Sequence, residues 1–406
     1  MSVRIKKRLP VERVSPRGEH CFFGYFDKYP WSVDQRFLLT HKTDFMGRQP
    51  TADEKALIAM IDLENKNEFI PLAETSAWCW QQGAMLQWLA DDPDKIIYND
   101  REGDRFVARI LDVKNGESRT ISRPIYCLSP DGRYALSVNF SRLDKERPGY
   151  GYAGVADFRD GVDHPDDDGI WLVDLKNDTS ELVVSLGDLT RKFHLDSMDG
   201  VANWFNHLLF SPDSARFAFF HRWRTAKVVD GKHYASHTTR MFTANIDGSG
   251  IYPLNLDDMS SHYTWIDDKR IINYSRRFGR GDHYYLYTDK TENVVVVGED
   301  AFDGDGHCSY SNDDKWMLTD CYPSEENGNH RELYLFDLEN DIRYEIGSFF
   351  SDPSLPIPTR CDLHPNWSRD CRKVCIDSIH EGHRGVYIVD VGELTTIVIN
   401  KKRRCL

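Results

Sequence analysis

Short hydrophobic runs separated by polar turns recur along the whole chain. Residues 37–40, 217–220 and 374–377 are examples, bounded by Gly, Asn and Asp in the manner of short strands. Such runs end at an Asp at seven points along the chain: Asp62, Asp112, Asp174, Asp247, Asp289, Asp337 and Asp390. The recurrence predicts seven units, each of four antiparallel strands.

A second mark of the repeat is an aromatic residue or Leu followed by a polar turn. It occurs at Trp31, Leu128, Phe210, Trp265, Tyr310 and Trp367, with a looser copy at Trp88. Four-stranded units with a period of about 40 to 50 residues are typical of propeller blades. We therefore predict an all-β fold, a single seven-bladed β-propeller domain over residues 1–406. The predicted blades span roughly 19–75, 76–121, 122–187, 201–256, 257–299, 303–348 and 359–400.

The amino-acid composition is typical of a globular protein. Residues are 40% hydrophobic and 29% charged, which suits a large packed core with a solvated exterior. No run is long enough to span a bilayer, so we expect a cytoplasmic protein. Nine irregularly spaced cysteines favour reduced thiols over a disulfide framework. The net charge of −14 argues against nucleic acid as a partner, and the oligomeric state stays open.

Histidine recurs at one phase of the repeat. Four units carry it three residues before the aromatic position, at His207, His262, His307 and His364. This column lies at the start of each blade's first strand, which lines the central channel in propellers. The first three units have Lys28, Met85 and Ile125 there instead. The column therefore predicts a one-sided site at the channel mouth, although each His can also simply bond a neighbouring backbone group.

Cationic and aromatic residues mark a possible binding surface for an acidic ligand. The cationic candidates are His221, Arg222, Arg224, Arg240 and Arg277, and salt bridging with the many Asp residues is the alternative explanation. Further binding candidates are Trp80, Gln82 and Tyr25, for which core packing is the alternative. An insertion over residues 141–168 is predicted to be a loop that can shape the ligand mouth.

The chain resembles the oligogalacturonate lyases in several ordered stretches. These are residues 207–250, 262–265, 306–308, 361–367 and 386–390. The resemblance implies an intracellular seven-bladed propeller that cleaves acidic oligosaccharides by β-elimination with a divalent metal, usually manganese. The family's metal ligands are three histidines and a glutamine. Two of the histidines match His307 and His364, the third falls on Asp362, and the glutamine falls on about Thr359.

The same resemblance places the family's catalytic arginine on Arg240 and a catalytic-site histidine on His262. Because arginine stays protonated, we favour His262 as the base and Arg240 as a clamp for the substrate carboxylate. His207 is assigned to the same catalytic centre. The mixed His and carboxylate set suits Mn, with Zn or Fe as alternatives.

Other interpretations of the sequence remain open. A glycoside hydrolase would use paired carboxylates, for which Asp305 and Asp362 are candidates. A non-catalytic propeller that binds glycan or protein is the third function class. A zinc site through Cys308 and Cys361 is disfavoured, because adjacent strand residues face opposite sides.

Overall fold

The computed structural model describes residues 2–229 and 232–395, which form seven sheets arranged as the blades of a propeller. The predicted seven-bladed β-propeller is confirmed. The chain begins with two short strands, β1 (Val3–Lys6) and β2 (Val11–Arg13), which join sheets built near its other end.

Five blades follow, each made of four consecutive antiparallel strands. Blade 1 contains β3 (His20–Phe22), β4 (Phe37–Thr43), β5 (Ala56–Asp62) and β6 (Glu68–Thr75). Blade 2 contains β7 (Gln87–Trp88), β8 (Lys95–Glu102), β9 (Arg105–Asp112) and β10 (Ser118–Ile121). Blade 3 contains β11 (Cys127–Leu128), β12 (Tyr134–Ser137), β13 (Gly169–Asp174) and β14 (Thr179–Ser185).

Blade 4 contains β15 (Asn203–Phe210), β16 (Arg216–Val229), β17 (Lys232–Asn245) and β18 (Tyr252–Asn255). Blade 5 contains β19 (Ser260–Trp265), β20 (Arg270–Arg277), β21 (Gly281–Thr288) and β22 (Val294–Val296). Helices α1 (Phe140–Glu146) and α2 (Leu186–Lys192) lie in the insertions around blade 3, with 3-10 turns at Asp196–Met198 and Ile357–Thr359. Within the described ranges, no helix is long and apolar enough to cross a membrane.

The last two blades take strands from both ends of the chain. Blade 6 contains β23 (Ser309–Tyr310), β24 (Trp316–Asp320), β25 (His330–Asp337) and β26 (Ile342–Phe350), and β1 pairs with β26 in parallel. Blade 7 contains β27 (Asn366–Trp367), β28 (Lys373–Ser378) and β29 (Gly385–Asp390), and its fourth strand is β2. The sequence predicts all four strands of this blade within 359–400. The fourth strand comes instead from the N-terminal end of the chain, and the backbone hydrogen bonds between β2 and β29 close the ring.

The repeated turns have a common hydrogen-bond pattern. In Ser211-Pro-Asp213, the Ser Oγ donates to the Asp carboxylate (2.6 Å) and accepts the backbone N–H of Arg216 (3.0 Å). Equivalent Ser-to-Asp bonds occur at Ser32, Ser129, Ser311 and Ser368. In these five blades the side chains replace backbone partners in the turn between the first two strands, which explains why the motif recurs.

Hydrophobic residues from neighbouring blades pack together in shared clusters. Blades 4 and 5, for example, pack Phe220, Met241, Tyr263 and Trp265 together. Eight cysteines fall within the described residues, and all are free thiols. The packing leaves the innermost strands around a central channel, which positions the candidate site.

Candidate metal and anion site

The four histidines of the column converge around one tyrosine. The ring centroid of Tyr25 lies 4.8 Å from that of His364 and 5.1 Å from that of His207. His262 and His307 also contact Tyr25, and their own centroids are 4.0 Å apart. The structure therefore brings these five rings together inside the channel.

The backbone turns two of these histidines into the left-handed region. His207 has a φ of 50° and lies where the register between β15 and β16 shifts, and His364 has a φ of 42°. Met85 holds the same column position in blade 2, with a φ of 53°. Because Met85 shares this conformation with the two histidines, the turn does not depend on the histidine side chain.

Three buried side chains form a group that can hold a metal ion. The ligand atoms of His307, Asp362 and His364 lie within 4.8 Å of one another. The Nε2 atoms of both histidines are buried and lack a hydrogen-bond partner among the described residues. Metal–nitrogen and metal–oxygen bonds of about 2.1 Å can be made from such a set with small side-chain rotations. The residues present therefore fit a divalent cation.

Asp320 orients one of these ligands. Its carboxylate accepts hydrogen bonds from His307 Nδ1 (2.9 Å) and from the His307 backbone N–H (2.7 Å). Nδ1 therefore carries the hydrogen, and Nε2 presents its lone pair to the group. Burial lowers the pKa of His307 and of His364 well below the usual value, so both rings are neutral, as metal ligation requires.

Asp362 is held between two arginines. Its carboxylate lies 2.5 Å from Arg331 Nη2 and 2.8 Å from Arg360 Nη2. Burial opposes ionisation of this carboxyl, but Arg331 and Arg360 outweigh it and hold its pKa well below the usual value. An ionised Asp362 is thus available as the oxygen donor of the group.

A cavity of about 250 Å³ opens beside the histidines, between blades 4 and 5. We call it the histidine cavity; His207, His262, Arg147, Arg222, His237 and Tyr322 are among its lining residues. Arg222 is 4% exposed, and its Nη1 has no hydrogen-bond partner among the described residues. Burial, with Arg222 and Arg147 nearby, lowers the pKa of His237 to about 2. Asp258 and Asp305 also line the cavity, but they are bonded to Arg240 and His262. The free Nη1 of Arg222 therefore suits an anionic ligand.

Four residues that line this cavity are connected by hydrogen bonds: Ser261, Asp305, His262 and Tyr322. His262 Nδ1 donates to Asp305 Oδ1 (3.0 Å), and Ser261 Oγ donates to the other carboxylate oxygen. Because Nδ1 carries the hydrogen, His262 Nε2 is free to accept a proton, and it lies 3.5 Å from the hydroxyl of Tyr322. This is the arrangement of a general base held by a carboxylate.

A cavity larger than the histidine cavity lies at the other end of the innermost strands. It encloses about 630 Å³ and is lined by the aromatic blade-turn residues, with the Asp27–Lys28 ion pair (2.7 Å). Phe26 lines it and also contacts His262 and His307. This cavity has the larger volume, but Arg222, whose Nη1 lacks a partner among the described residues, lines the histidine cavity, and the metal-competent group lies beside it through the contact of His307 with His262.

Several predicted cationic residues lie outside the histidine cavity. Arg222 and Thr239 form a cross-strand pair facing the cavity, whereas the next pair, His221 and Arg240, faces the other side because strand residues alternate. Arg240 Nε donates to Asp258 (2.8 Å). His221 is buried beside Asn203 (3.0 Å), and burial lowers its pKa to about 3.

The remaining binding candidates are also placed elsewhere. Arg224 forms an ion pair with Glu146 (2.8 Å), and Arg277 lies 3.7 Å from Asp257. Trp80 is buried in the core between blades 1 and 2, and its indole N–H donates to a backbone carbonyl. Gln82 bonds the buried Tyr126 hydroxyl (2.7 Å). The geometry of Trp80 and Gln82 therefore fits core packing, the alternative to ligand binding.

The cysteine alternative does not fit the site. Cys308 Sγ points to the backbone carbonyl of His262 (3.7 Å), and burial raises the pKa of Cys361 to about 12. Neither thiol belongs to the three-residue group.

Sequence reasoning missed other members of the site. Arg147 and Tyr150 come from the insertion after blade 3's second strand, the segment predicted to shape a ligand mouth. Asp320 is the last residue of the second strand of blade 6, Tyr322 follows it by two residues, and Arg331 is the second residue of the third strand. None of these falls in a repeated column, so the repeat carries no signal for them.

Solved structures similar to this chain include two oligogalacturonate lyases. One, from Vibrio parahaemolyticus, has a TM-score of 0.68 at 16% identity and covers 94% of each chain. The other, an oligogalacturonate lyase in complex with manganese, has a TM-score of 0.68 at 17% identity over 94% of this chain and 93% of that one. A puromycin-hydrolysing peptidase from Mycobacterium tuberculosis has a TM-score of 0.51 at 12% identity over 96% of this chain and 55% of its own.

No protein-family model matches the chain, and no curated protein matches it. At such identities the similarity establishes the propeller fold. The activity has to be argued from the site.

Proposed function

We propose that the protein is a metal-assisted lyase that cleaves a uronate-containing oligosaccharide by β-elimination. The observation that carries this proposal is the position of the His307–Asp362–His364 group beside a cavity with an unpaired buried arginine. An acidic sugar needs both features. Its carboxylate requires a cation, and the hydrogen on C5 becomes removable only when the growing negative charge is absorbed.

The residues of the histidine cavity have two roles, carboxylate binding and proton removal. Arg222 and Arg147 bind a substrate carboxylate, because Arg222 has no carboxylate partner among the described side chains and both lie at the cavity. His262 Nε2 takes the hydrogen from C5, and Asp305 holds the ring in the required tautomer. Since Arg240 faces away from the cavity, the carboxylate-binding role predicted for it passes to Arg222.

His307, His364 and Asp362 would hold the divalent metal. When bound, the ion would absorb the charge that develops on the substrate carboxylate. Manganese is our first choice because one similar structure is a manganese complex of an oligogalacturonate lyase; Zn and Fe suit the same donors. The paired-carboxylate alternative is weakened, because Arg331 and Arg360 hold the pKa of Asp362 well below its usual value, which prevents Asp362 from acting as the general acid, and Asp305 is bonded to His262.

The test compares metal content and cleavage in the wild type and two variants. Wild type and His330→Ala, whose imidazole bonds Gly328 outside the cavity, should retain one divalent ion per chain after loading with Mn, Zn or Fe. His364→Ala should lose it. Wild type should release unsaturated uronate, detected by ultraviolet absorbance, from at least one oligomer of galacturonate, glucuronate or mannuronate.

Two results would contradict the proposal. One is the absence of bound metal in the wild type after loading with each of the three ions. The other is cleavage that continues unchanged in metal-free His364→Ala.

A further inference from the structure

Tyr322 lies at the junction of the metal-competent group and the histidine cavity. It follows β24 by two residues and lines the cavity together with His262. Its ring centroid is 6.0 Å from that of His307 and 6.1 Å from that of His262. A sugar bound in the histidine cavity, beside the metal-competent group, therefore lies next to Tyr322.

The hydroxyl of Tyr322 is placed to give up its proton to a ligand. His262 uses its Nδ1 hydrogen on Asp305, so the 3.5 Å contact between Tyr322 Oη and His262 Nε2 places the tyrosine as donor. The two groups that handle protons thus face the same small space, one accepting and one donating.

Two cations flank the Tyr322 ring. The guanidinium carbons of Arg331 and Arg360 lie 5.0 Å and 5.7 Å from its centroid, within the range of about 6 Å for a cation–π contact. A phenolate formed after proton donation would be stabilised by both charges.

We propose that Tyr322 is the general acid that protonates the departing sugar oxygen. The idea rests on the proposed lyase function and adds to it. His262 Nε2 takes the C5 proton, the C5–H electron pair becomes the C4=C5 double bond, and the bond from C4 to the glycosidic oxygen breaks. The Tyr322 proton goes to that oxygen, and exchange with water restores both side chains.

Tyr150 is the rival donor. It also lines the histidine cavity, but its hydroxyl accepts a hydrogen bond from Arg360 Nη2 (3.3 Å) and has no hydrogen bond to His262 among the described contacts. The geometry therefore separates the two tyrosines. Comparing Tyr322→Phe with Tyr150→Phe tests the assignment directly.

The experiment follows cleavage and hydrogen exchange separately. On a uronate oligomer that the wild type cleaves, Tyr322→Phe should lose cleavage by about 100- to 10,000-fold, the usual worth of a general acid. In D₂O it should still exchange the C5 hydrogen of the uncleaved substrate, seen by NMR, because His262 is intact. Its manganese content should equal that of the wild type. Tyr334→Phe, in the same blade and outside the cavity lining, is the matched control.

Each other outcome overturns the assignment. Cleavage by Tyr322→Phe within threefold of the wild type would show that the hydroxyl is dispensable. Loss of both cleavage and exchange with manganese retained would make Tyr322 part of the base. If Tyr150→Phe alone stops cleavage but keeps exchange, the donor is Tyr150. A wild type that neither cleaves nor exchanges any uronate oligomer defeats the lyase function itself, before any variant is compared.

Discussion

Replacing Arg222 with methionine should make the protein more stable and less able to bind its ligand. Burial lowers the pKa of Arg222 from 12.5 to about 10. At about 1.36 kcal/mol per pKa unit, the charged side chain destabilises the fold by about 3 kcal/mol. Both pKa values lie above 7, so this penalty is fully present at neutral pH and declines only as the pH rises from about 10.

Favourable contacts offset part of this penalty. Arg222 Nε donates to Thr239 (3.0 Å), and the guanidinium lies 5.1 Å from the Phe220 ring centroid. Together these are worth about 1 to 2 kcal/mol. Methionine fills much of the same space with an apolar chain. Arg222→Met is therefore expected to raise the free energy of unfolding by about 1 to 2 kcal/mol.

The assay is urea unfolding of the ligand-free protein at neutral pH, paired with calorimetric titration of a uronate oligomer. Arg224→Met is the control, because Arg224 lies two residues along the same strand and is paired with Glu146. The control should be unchanged or less stable by up to about 1 kcal/mol. Ligand affinity should fall by at least about 30-fold in Arg222→Met, since a buried charged contact is worth about 2 to 5 kcal/mol.

The reasoning would be refuted by an Arg222→Met protein that is more than about 1 kcal/mol less stable than the wild type. That result would mean that the buried guanidinium stabilises the free protein and needs no anion. Unchanged affinity for every uronate oligomer that the wild type binds would refute the carboxylate-binding role separately.

Two further predictions concern blade 7. The side chain of Arg13 is 3% exposed and donates to the carbonyls of residues 16, 19 and 384. Arg13→Ala should therefore lower the free energy of unfolding by about 3 kcal/mol or more in the same urea assay. Arg17→Ala is the control, because Arg17 is exposed, and it should change the free energy of unfolding by less than about 0.5 kcal/mol. Burial raises the pKa of Asp377 to about 7 although Phe23 and Gly24 donate to it. The stability that protonated Asp377 contributes is present below about pH 4 and is lost as the pH rises towards 7. The free energy of unfolding of the wild type, measured relative to that of Asp377→Asn, should therefore fall by about 4 kcal/mol over that interval. A difference between the two proteins that does not depend on pH would contradict this.

The propeller was predictable from the sequence because the same pattern of short strands and polar turns recurs along the chain. The Ser-to-Asp turn recurs with its hydrogen bonds, and the histidine column has one phase relative to it. Convergence of His207, His262 and His307 then follows from strand order alone, since every first strand lines the channel. Ring closure was not predictable in this way, because β2 is too short and too polar to be recognised as the partner of β29.

The rest of the site depends on contacts between distant, non-repeating segments. Arg147 reaches the cavity from the end of α1, and Arg331 reaches Asp362 from the next blade. The family resemblance places a catalytic-site role on Arg240, yet strand alternation turns Arg240 away from the cavity, and its diagonal neighbour Arg222 faces the cavity instead. A cluster of charges along a sequence does not reveal which of its members share a face until the register is known.

The pairing of the N-terminal strand β2 with β29 at the other end of the chain can form only late in synthesis. Arg13 and its partner Arg384 are 371 residues apart, so at about 5 to 20 residues per second the ribosome makes them roughly 20 to 75 seconds apart. Throughout that interval β2 has no sheet to join, and the nascent ring stays open with exposed strand edges. The time spent in that open form, rather than the stability of the finished ring, should decide how much of the newly made protein needs help from chaperones.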